Sequence, residues 1–170
     1  MKAKVSTGKK TVPVSTGFSL FTEYDIYLFR EGNHFHLYDK LGAHPMTLEG
    51  VDGTYFAVWA PNAKKVTVVG DFNGWNEQSH PLSARWDSSG IWEGFIPGVV
   101  KGMYYKFHLE SNVNDYKANR GDPFALYWEV APKTSPIVWD LAYEWHDTEW
   151  MNIRGERSFL WINRRQFQRN

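Results

Sequence analysis

The sequence predicts an all-β fold, an antiparallel β-sandwich preceded by a short helical hairpin. At least five β-rich runs are separated by Pro and Gly turns, with no regular helices between them, which is the pattern of a sandwich and not of a parallel sheet. Aromatic residues reach 17%, with nine Trp, nine Tyr and eleven Phe, and aromatic side chains favour strands while offering flat surfaces for stacking.

In chain order, residues 1–20 read as a flexible tail: two Ser-Thr-Gly clusters, the Lys9-Lys10 pair and Pro13, without a sustained apolar period. Thr22 then caps a short helix over Glu23–Glu31, closed by Gly32, with Ile26 and Phe29 on one face. A second helix over Leu37–Leu41 ends at Gly42, and Pro45 prevents its continuation, so 21–45 is the helical segment. The sandwich occupies 46–145. Thr54–Ala60 is a β-rich run stopped by Pro61-Asn62. Lys65–Gly70 places Val66 and Val68 on one side, and Ile91–Ile96 ends at Pro97-Gly98. Met103–Leu109 alternates, with Met103, Tyr105, Phe107 and Leu109 facing inward and Tyr104, Lys106 and His108 on the other face. Ile137–Trp139 is a last short strand, and 146–170 forms a linker and an atypical C-terminal tail.

Composition narrows the function. A chain of 170 residues suggests one domain, and the absence of cysteine excludes disulfides and thiol nucleophiles. No apolar run reaches about 18 residues, and the N-terminal lysines have no apolar stretch after them, against a membrane span or secretory signal. The net charge of zero conceals basic ends and an acidic body of ten bases and eighteen acids, which argues against a nucleic-acid surface. His34, His36, Asp39 and His44 lie close in sequence but lack helical metal-ligand spacing and fit the helical hairpin instead. No phosphate loop, dinucleotide fingerprint or serine elbow is present. No metal and no cofactor are expected.

At Gly70 a more specific pattern begins. Gly70-Asp71-Phe72-Asn73-Gly74-Trp75-Asn76 is followed by Gly102–Phe107, then Asn114-Asp115-Tyr116 and Asp122-Pro123-Phe124-Ala125. This series resembles carbohydrate-binding module family 48, an immunoglobulin-like starch and glycogen module. Leu28–Gly32 with Leu37–His44 is similar to the segment that precedes the module in bacterial 1,4-α-glucan branching enzymes, and Phe56–Ala63 and Ser135–Trp139 fit the same family. The resemblance covers Phe21 to Arg154. It implies an α-1,4-glucan partner (glycogen, starch, maltooligosaccharides) and a (β/α)₈ catalytic barrel that follows the module in the same chain. It also implies a cytoplasmic place in glycogen metabolism, with no nucleic-acid or membrane partner.

Branching by the family needs paired carboxyl groups about 5–5.5 Å apart on that barrel. The chain stops before the barrel motifs, so no catalytic residue is expected, and Asp115 and Asp122 are read as turn acids. After Arg154 the sequence departs from the family. Trp75 follows the turn pair Asn73-Gly74 and, by resemblance, takes the position of the first stacking tryptophan. Lys106 matches the hydroxyl-binding lysine. Tyr116 resembles the second aromatic platform, where relatives often carry Trp. Trp59, Trp86, Trp92, Trp139 and Trp145 are read as packing residues. Two functions follow as expectations: a non-catalytic α-glucan-binding module, or a sandwich that serves only as a packing or interaction spacer.

Overall fold

The computed structural model describes residues 14–15, 17–142 and 144–154, and the chain divides into two compact units, Met1–Asp140 and Leu141–Asn170. In the first unit, helix α1 spans Glu23–Arg30. Thr22 caps it reciprocally: its hydroxyl accepts from the Asp25 N–H at 3.2 Å, and the Asp25 carboxylate accepts from the Thr22 N–H at 2.8 Å. Burial pushes that carboxyl up, but the Thr22 hydrogen bonds, His34 and Lys40 outweigh it and hold Asp25 well below the usual carboxylate range.

The second helix of the expected hairpin shrinks to one 3-10 turn, Leu37–Asp39. Gly42, at φ +107°, turns the chain, and a Cβ there would lie 3.2 Å from the Phe124 Cβ. From Gly42 onward the backbone is extended, as strand β1 (Gly42–Leu48) against β2 (Val51–Trp59). Pro45 is tolerated because β1 is an edge strand with one side free of ladder bonds.

The first sheet has the order β1-β2-β5-β4, with β5 at Ile91–Pro97 and β4 at Ser83–Ala84. The second has the order β3-β6-β7, from Ala63–Gly70, Tyr105–Ser111 and Lys117–Arg120. A small hairpin of β8 (Tyr127–Trp128) and β9 (Pro136–Ile137) joins through a bridge between Tyr104 and Ile137. All pairings are antiparallel, as the sequence predicts.

Two cores hold these layers. Between the sheets lie Phe56, Val58 and Ile96 from one side and Val66, Val68, Tyr105 and Phe107 from the other. Phe56 and Tyr105 meet edge-to-face, with ring centroids 5.2 Å apart. On the opposite face of the first sheet, Tyr55, Ala57, Ile91 and Phe95 pack against Phe21, Ile26 and Leu41. The first sheet is therefore the middle of three layers. Thr54 through Val58 are all buried, and the hydrophobic alternation expected of a one-sided strand disappears.

Part of the stretch expected to be a flexible tail packs on this middle layer. Ser15 exchanges two backbone hydrogen bonds with Phe95, at 2.9 and 3.2 Å, and Phe18 meets Tyr55 edge-on. Residues 1–13 and 155–170, where the remainder of both tails was expected, lie outside the described residues. In the second unit residues 148–154 are helical, and the Arg154 guanidinium lies 5.3 Å from the Trp150 ring centroid.

Several buried polar groups are matched, whereas among the described residues the Thr67 hydroxyl and the His108 Nε2 are buried without a hydrogen-bond partner. The Thr54 hydroxyl donates to the Val99 carbonyl at 2.6 Å, and the Tyr55 hydroxyl donates to Glu93. Asp122, read from sequence as a turn acid, is fully buried. It accepts from the Tyr105 hydroxyl at 2.6 Å and from the Phe124 N–H at 2.8 Å, and so ties β6 to the chain that follows β7. Burial pushes its carboxyl up, against the lowering effect of those two bonds.

Asp122→Ala leaves the buried Tyr105 hydroxyl unmatched and should lower the unfolding free energy by about 1–3 kcal/mol in urea titrations. Asp122→Asn, whose amide can match both partners, should lose less. Because the folded-state pKa of Asp122 is raised, its contribution is fullest below the ordinary carboxylate range and is lost as pH rises through the folded value. The advantage of the wild type over Asp122→Asn should therefore shrink as pH rises.

Candidate functional site

The loop after β3 is built by glycine and asparagine. A Cβ on Gly70 would stand 2.2 Å from the Tyr104 carbonyl oxygen and 2.5 Å from the Phe72 ring, so the close approach of the chain requires glycine. A 3-10 turn follows at Asp71–Asn73. The Asn73 side chain accepts from the Gly70 N–H at 3.0 Å, donates to the Val68 carbonyl at 2.9 Å and meets the His80 Nδ1 at 2.9 Å. One side chain thus pins both ends of the turn.

Trp75 emerges from this clamp. Gly74 and Trp75 both lie in the left-handed region, at φ +63° and +61°. That conformation is costly for a bulky residue and persists only where the surroundings impose it. The Trp75 N–H donates to the Gly70 carbonyl and the indole Nε1–H donates to the Asp71 carboxylate, both at 2.9 Å. With the indole N–H engaged, the residue remains 37% exposed.

Lys106 lies on β6 between the buried Tyr105 and Phe107, with its side chain on the other face. Its register partner is Val69, next to the Gly70 that receives the Trp75 N–H. Trp75 and Lys106 therefore belong to the same end of the second sheet. The Lys106 ammonium donates to the Thr134 hydroxyl at 2.9 Å, which draws in the loop between β8 and β9.

Tyr116 belongs to the opposite end. Its carbonyl accepts from the Ser111 N–H at 2.8 Å, so it sits where β6 finishes, about 16 Å along the strand from Lys106 at roughly 3.3 Å per residue. The ring is 45% exposed, and the Arg120 guanidinium lies 5.7 Å from its centroid while donating to its hydroxyl. Between the two ends the outward face is covered. His108 and Thr67, directly opposed in register, are both buried, because residues 77–82 return along β3 and Glu77 lies 3.4 Å from the His108 Nδ1. The exposed face predicted for His108 is thus occupied by the protein's own loop.

Three further residues belong to the Lys106 end. Asp71 fixes the indole, and its place one turn before Trp75 is visible in the sequence. Thr134 and Trp128 arrive from a distant hairpin with no local signal. The Trp128 ring lies over Gly121, where a Cβ would meet it at 2.4 Å, and Gly121 follows the residue paired with Phe107. Of the other tryptophans, Trp92 packs on the core and donates to the Ala60 carbonyl at 3.1 Å. Trp139 lies under the Lys101 ammonium, 4.3 Å from its ring centroid. Trp59 meets Phe29 edge-on and donates to the Ser89 carbonyl at 3.1 Å while staying half-exposed, and Trp86 and Trp145, expected to pack, are instead exposed. His34 is bound to Asp25 and His44 to the Leu41 carbonyl. Among the described residues no group of three or more His, Asp or Glu is arranged to hold a metal, and no helix is long and apolar enough to cross a membrane.

A sandwich that presents a pinned aromatic residue from a strand-end loop, at the same end of the sheet as an outward lysine, has the form of a recognition module. The chain belongs to the family described as carbohydrate-binding module 48 (isoamylase N-terminal domain), which its residues 40–125 match. It is 49% identical over 134 residues to the 1,4-alpha-glucan branching enzyme GlgB of Thermosynechococcus vestitus, covering 78% of this chain and 17% of that protein. With the GlgB of Albidiferax ferrireducens the identity is 47% over 139 residues, covering 82% of this chain and 22% of the relative. The chain therefore spans about a fifth of the length of these curated relatives. Among solved structures, Klebsiella pneumoniae pullulanase complexed with maltotriose aligns with a TM-score of 0.48 and 25% identity, over 60% of this chain and 10% of that one.

Gly70→Ala should displace the Trp75 loop, because the Tyr104 carbonyl cannot yield to a Cβ at 2.2 Å. A loss of about 1–3 kcal/mol, as for overpacked sites, should appear in a thermal melt. Gly17→Ala, with nothing within 4 Å of its Cβ, should melt like the wild type.

Proposed function

We propose that this chain is an α-1,4-glucan-binding module that serves the catalytic barrel of a 1,4-α-glucan branching enzyme and carries no branching activity of its own. The observation that carries this reading is Trp75: its backbone is held in a conformation that costs free energy, and its indole is fixed through Asp71 while the residue stays partly exposed. Strain of this kind concentrates at functional sites. A glucose ring laid on that face would place its hydroxyls toward Lys106 and the Thr134 hydroxyl. Tyr116, on the far end of β6, would be reached only by a chain of several glucosyl units.

One observation favours the spacer reading. The Arg120 guanidinium lies over the Tyr116 ring, and this weakens that residue as a platform. Calorimetric titration with maltoheptaose separates the two. Binding should be weak, between about 10 μM and a few mM, since a millimolar constant corresponds to about 4 kcal/mol, within reach of one or two stacked rings. Trp75→Ala should cost about 1–2 kcal/mol of that. Lys106→Ala should cost less, because its hydrogen bonds compete with water. Thermal melts of both variants should match the wild type. No saturable heat in the wild type would establish the spacer, and equal binding by Trp75→Ala would refute Trp75 as the platform.

The activity claim has its own test. Retaining glycosyl transfer requires two carboxyl groups about 5–5.5 Å apart facing the substrate. Asp122 is buried on Tyr105, and Asp87 and Glu93 are both engaged by Arg85 at 2.8 and 2.7 Å. Amylose incubated with the chain, then debranched and sized, should show no new α-1,6 linkages. Linkages above a protein-free control would refute the claim.

A further inference from the structure

A second aromatic surface lies on the opposite side of the sandwich. Between α1 and the turn that joins β4 to β5 there is a groove of about 470 Å³, lined by Glu23, Ile26, Tyr27, Arg30, Glu31 and the Arg85–Asp87 segment. This volume falls within the range of about 300–1,000 Å³ typical of small-ligand sites. Trp86 forms one wall and is 82% exposed, and Tyr27 on α1 is 58% exposed. Tyr24 stacks beside Tyr27 with ring centroids 6.3 Å apart, extending the aromatic surface along the helix.

The base beneath Trp86 is rigid. Arg85 is pinned by Asp87 at 2.8 Å, by Glu93 at 2.7 Å and by the Ser19 hydroxyl at 2.5 Å, with its side chain only 7% exposed. The Arg85 N–H donates to the Ile91 carbonyl at 2.9 Å, and Arg30 donates to the Asp87 carbonyl, tying the helix to the turn. The backbone that carries the exposed indole is thus held on both sides, by Arg85 and by Asp87.

The chemistry of the groove selects its ligand. Its acids and bases nearly balance, and Asp87 and Arg85 already neutralise each other, so no strong field draws a charged polymer or an anionic membrane. What remains are flat aromatic faces beside the carboxylates of Glu23 and Glu31, which have no side-chain hydrogen bond or ion pair among the described residues. A neutral, polyhydroxylated ring with one apolar face matches both features, its C–H face on the ring and its hydroxyls on the carboxylates. We infer that the groove between α1 and Trp86 is a second α-glucan contact site, with Trp86 and Tyr27 as platforms and Glu23 and Glu31 as hydroxyl acceptors. It takes the same ligand class as the proposed function, and rests on that reading for the choice of sugar, but stands on different residues.

The two sites lie on opposite layers: Trp75 and Lys106 belong to the β3-β6-β7 sheet, and the groove lies on the helical side of the other sheet. A short oligosaccharide engages one at a time, whereas separate branches of one glycogen particle can engage both, raising the apparent affinity without new contacts.

The test follows tryptophan indole N–H signals of the ¹⁵N-labelled 170-residue chain during maltoheptaose titration, with Trp75 and Trp86 assigned from Trp75→Ala and Trp86→Ala. At roughly 20 mM sugar, well above a millimolar constant, the Trp86 signal should move saturably in the wild type and equally in Trp75→Ala. Tyr27→Ala should weaken that response about five- to tenfold, as expected for a lost aromatic contact, while the Trp75 response stays unchanged. A stationary Trp86 signal while Trp75 moves would overturn the second site and leave the first. Movement of Trp86 alone would overturn the first and support the second, and movement of neither would overturn both.

Discussion

The structure depends on one strand being buried on both faces. From Thr54 to Val58 every residue of β2 is buried, with Phe56 and Val58 turned to the β3-β6-β7 sheet and Tyr55 and Ala57 turned to the helical layer. Each aromatic or branched side chain so buried is worth about 1.5–3 kcal/mol relative to exposure, so neither cover can be removed without a large loss. This demand explains why the segment before the sandwich is present at all. Phe21, Ile26 and Leu41 form the lid of the second core, and the reciprocal cap at Thr22 and Asp25 fixes the helix that carries Ile26 and follows Phe21. Two-sided burial also requires the polar groups of β2 to be matched internally, as Thr54 and Tyr55 show.

The same constraint leaves the loops as the places where chemistry can be displayed. With the middle sheet sealed, side chains reach solvent from the strand ends, from the outward face of the second sheet and from the helical layer. Most of that outward face is closed by residues 77–82, and it opens at the Lys106 end, where Asn73 clamps the turn and Asp71 holds the indole. The rigidity comes from ordinary hydrogen bonds to backbone groups, with no metal or disulfide needed. A preorganised ring limits the entropy lost on binding, and this matters most where the contact itself is small.

Much of the architecture was legible because it rested on local patterns. The β-rich runs at Thr54–Ala60, Lys65–Gly70, Ile91–Ile96 and Met103–Leu109 all correspond to strands, and the Thr22 cap is where the sequence puts it. The strand over Gly42–Leu48 was hidden by Gly42 and Pro45, which read as a helix end but serve a turn and an edge strand. The burial of His108 was hidden for a different reason. Alternation assigns a face to a side chain, but whether a distant loop then covers that face depends on tertiary contacts such as Glu77 to His108. In the candidate site, Trp75 and its turn were visible as a motif, whereas the β8-β9 hairpin brings Thr134 to Lys106 and Trp128 over Gly121. The separation of Tyr116 from Lys106 follows from strand register, which sequence spacing across a turn does not determine. Trp86 was masked by the frequency with which tryptophans near strands are core residues.

The central claim is that the strained, pinned Trp75 is a sugar platform. The measurement that addresses it most directly is a crystal structure of the chain grown with maltoheptaose. The account predicts a glucosyl ring lying flat on the Trp75 indole, with at least one of its hydroxyls in hydrogen-bond reach of the Lys106 ammonium and the Gly74–Trp75 backbone unchanged from φ +63° and +61°. Trp75 bare of sugar in crystals where other surfaces are open to solvent, or a Trp75 backbone relaxed out of the left-handed region, would contradict it.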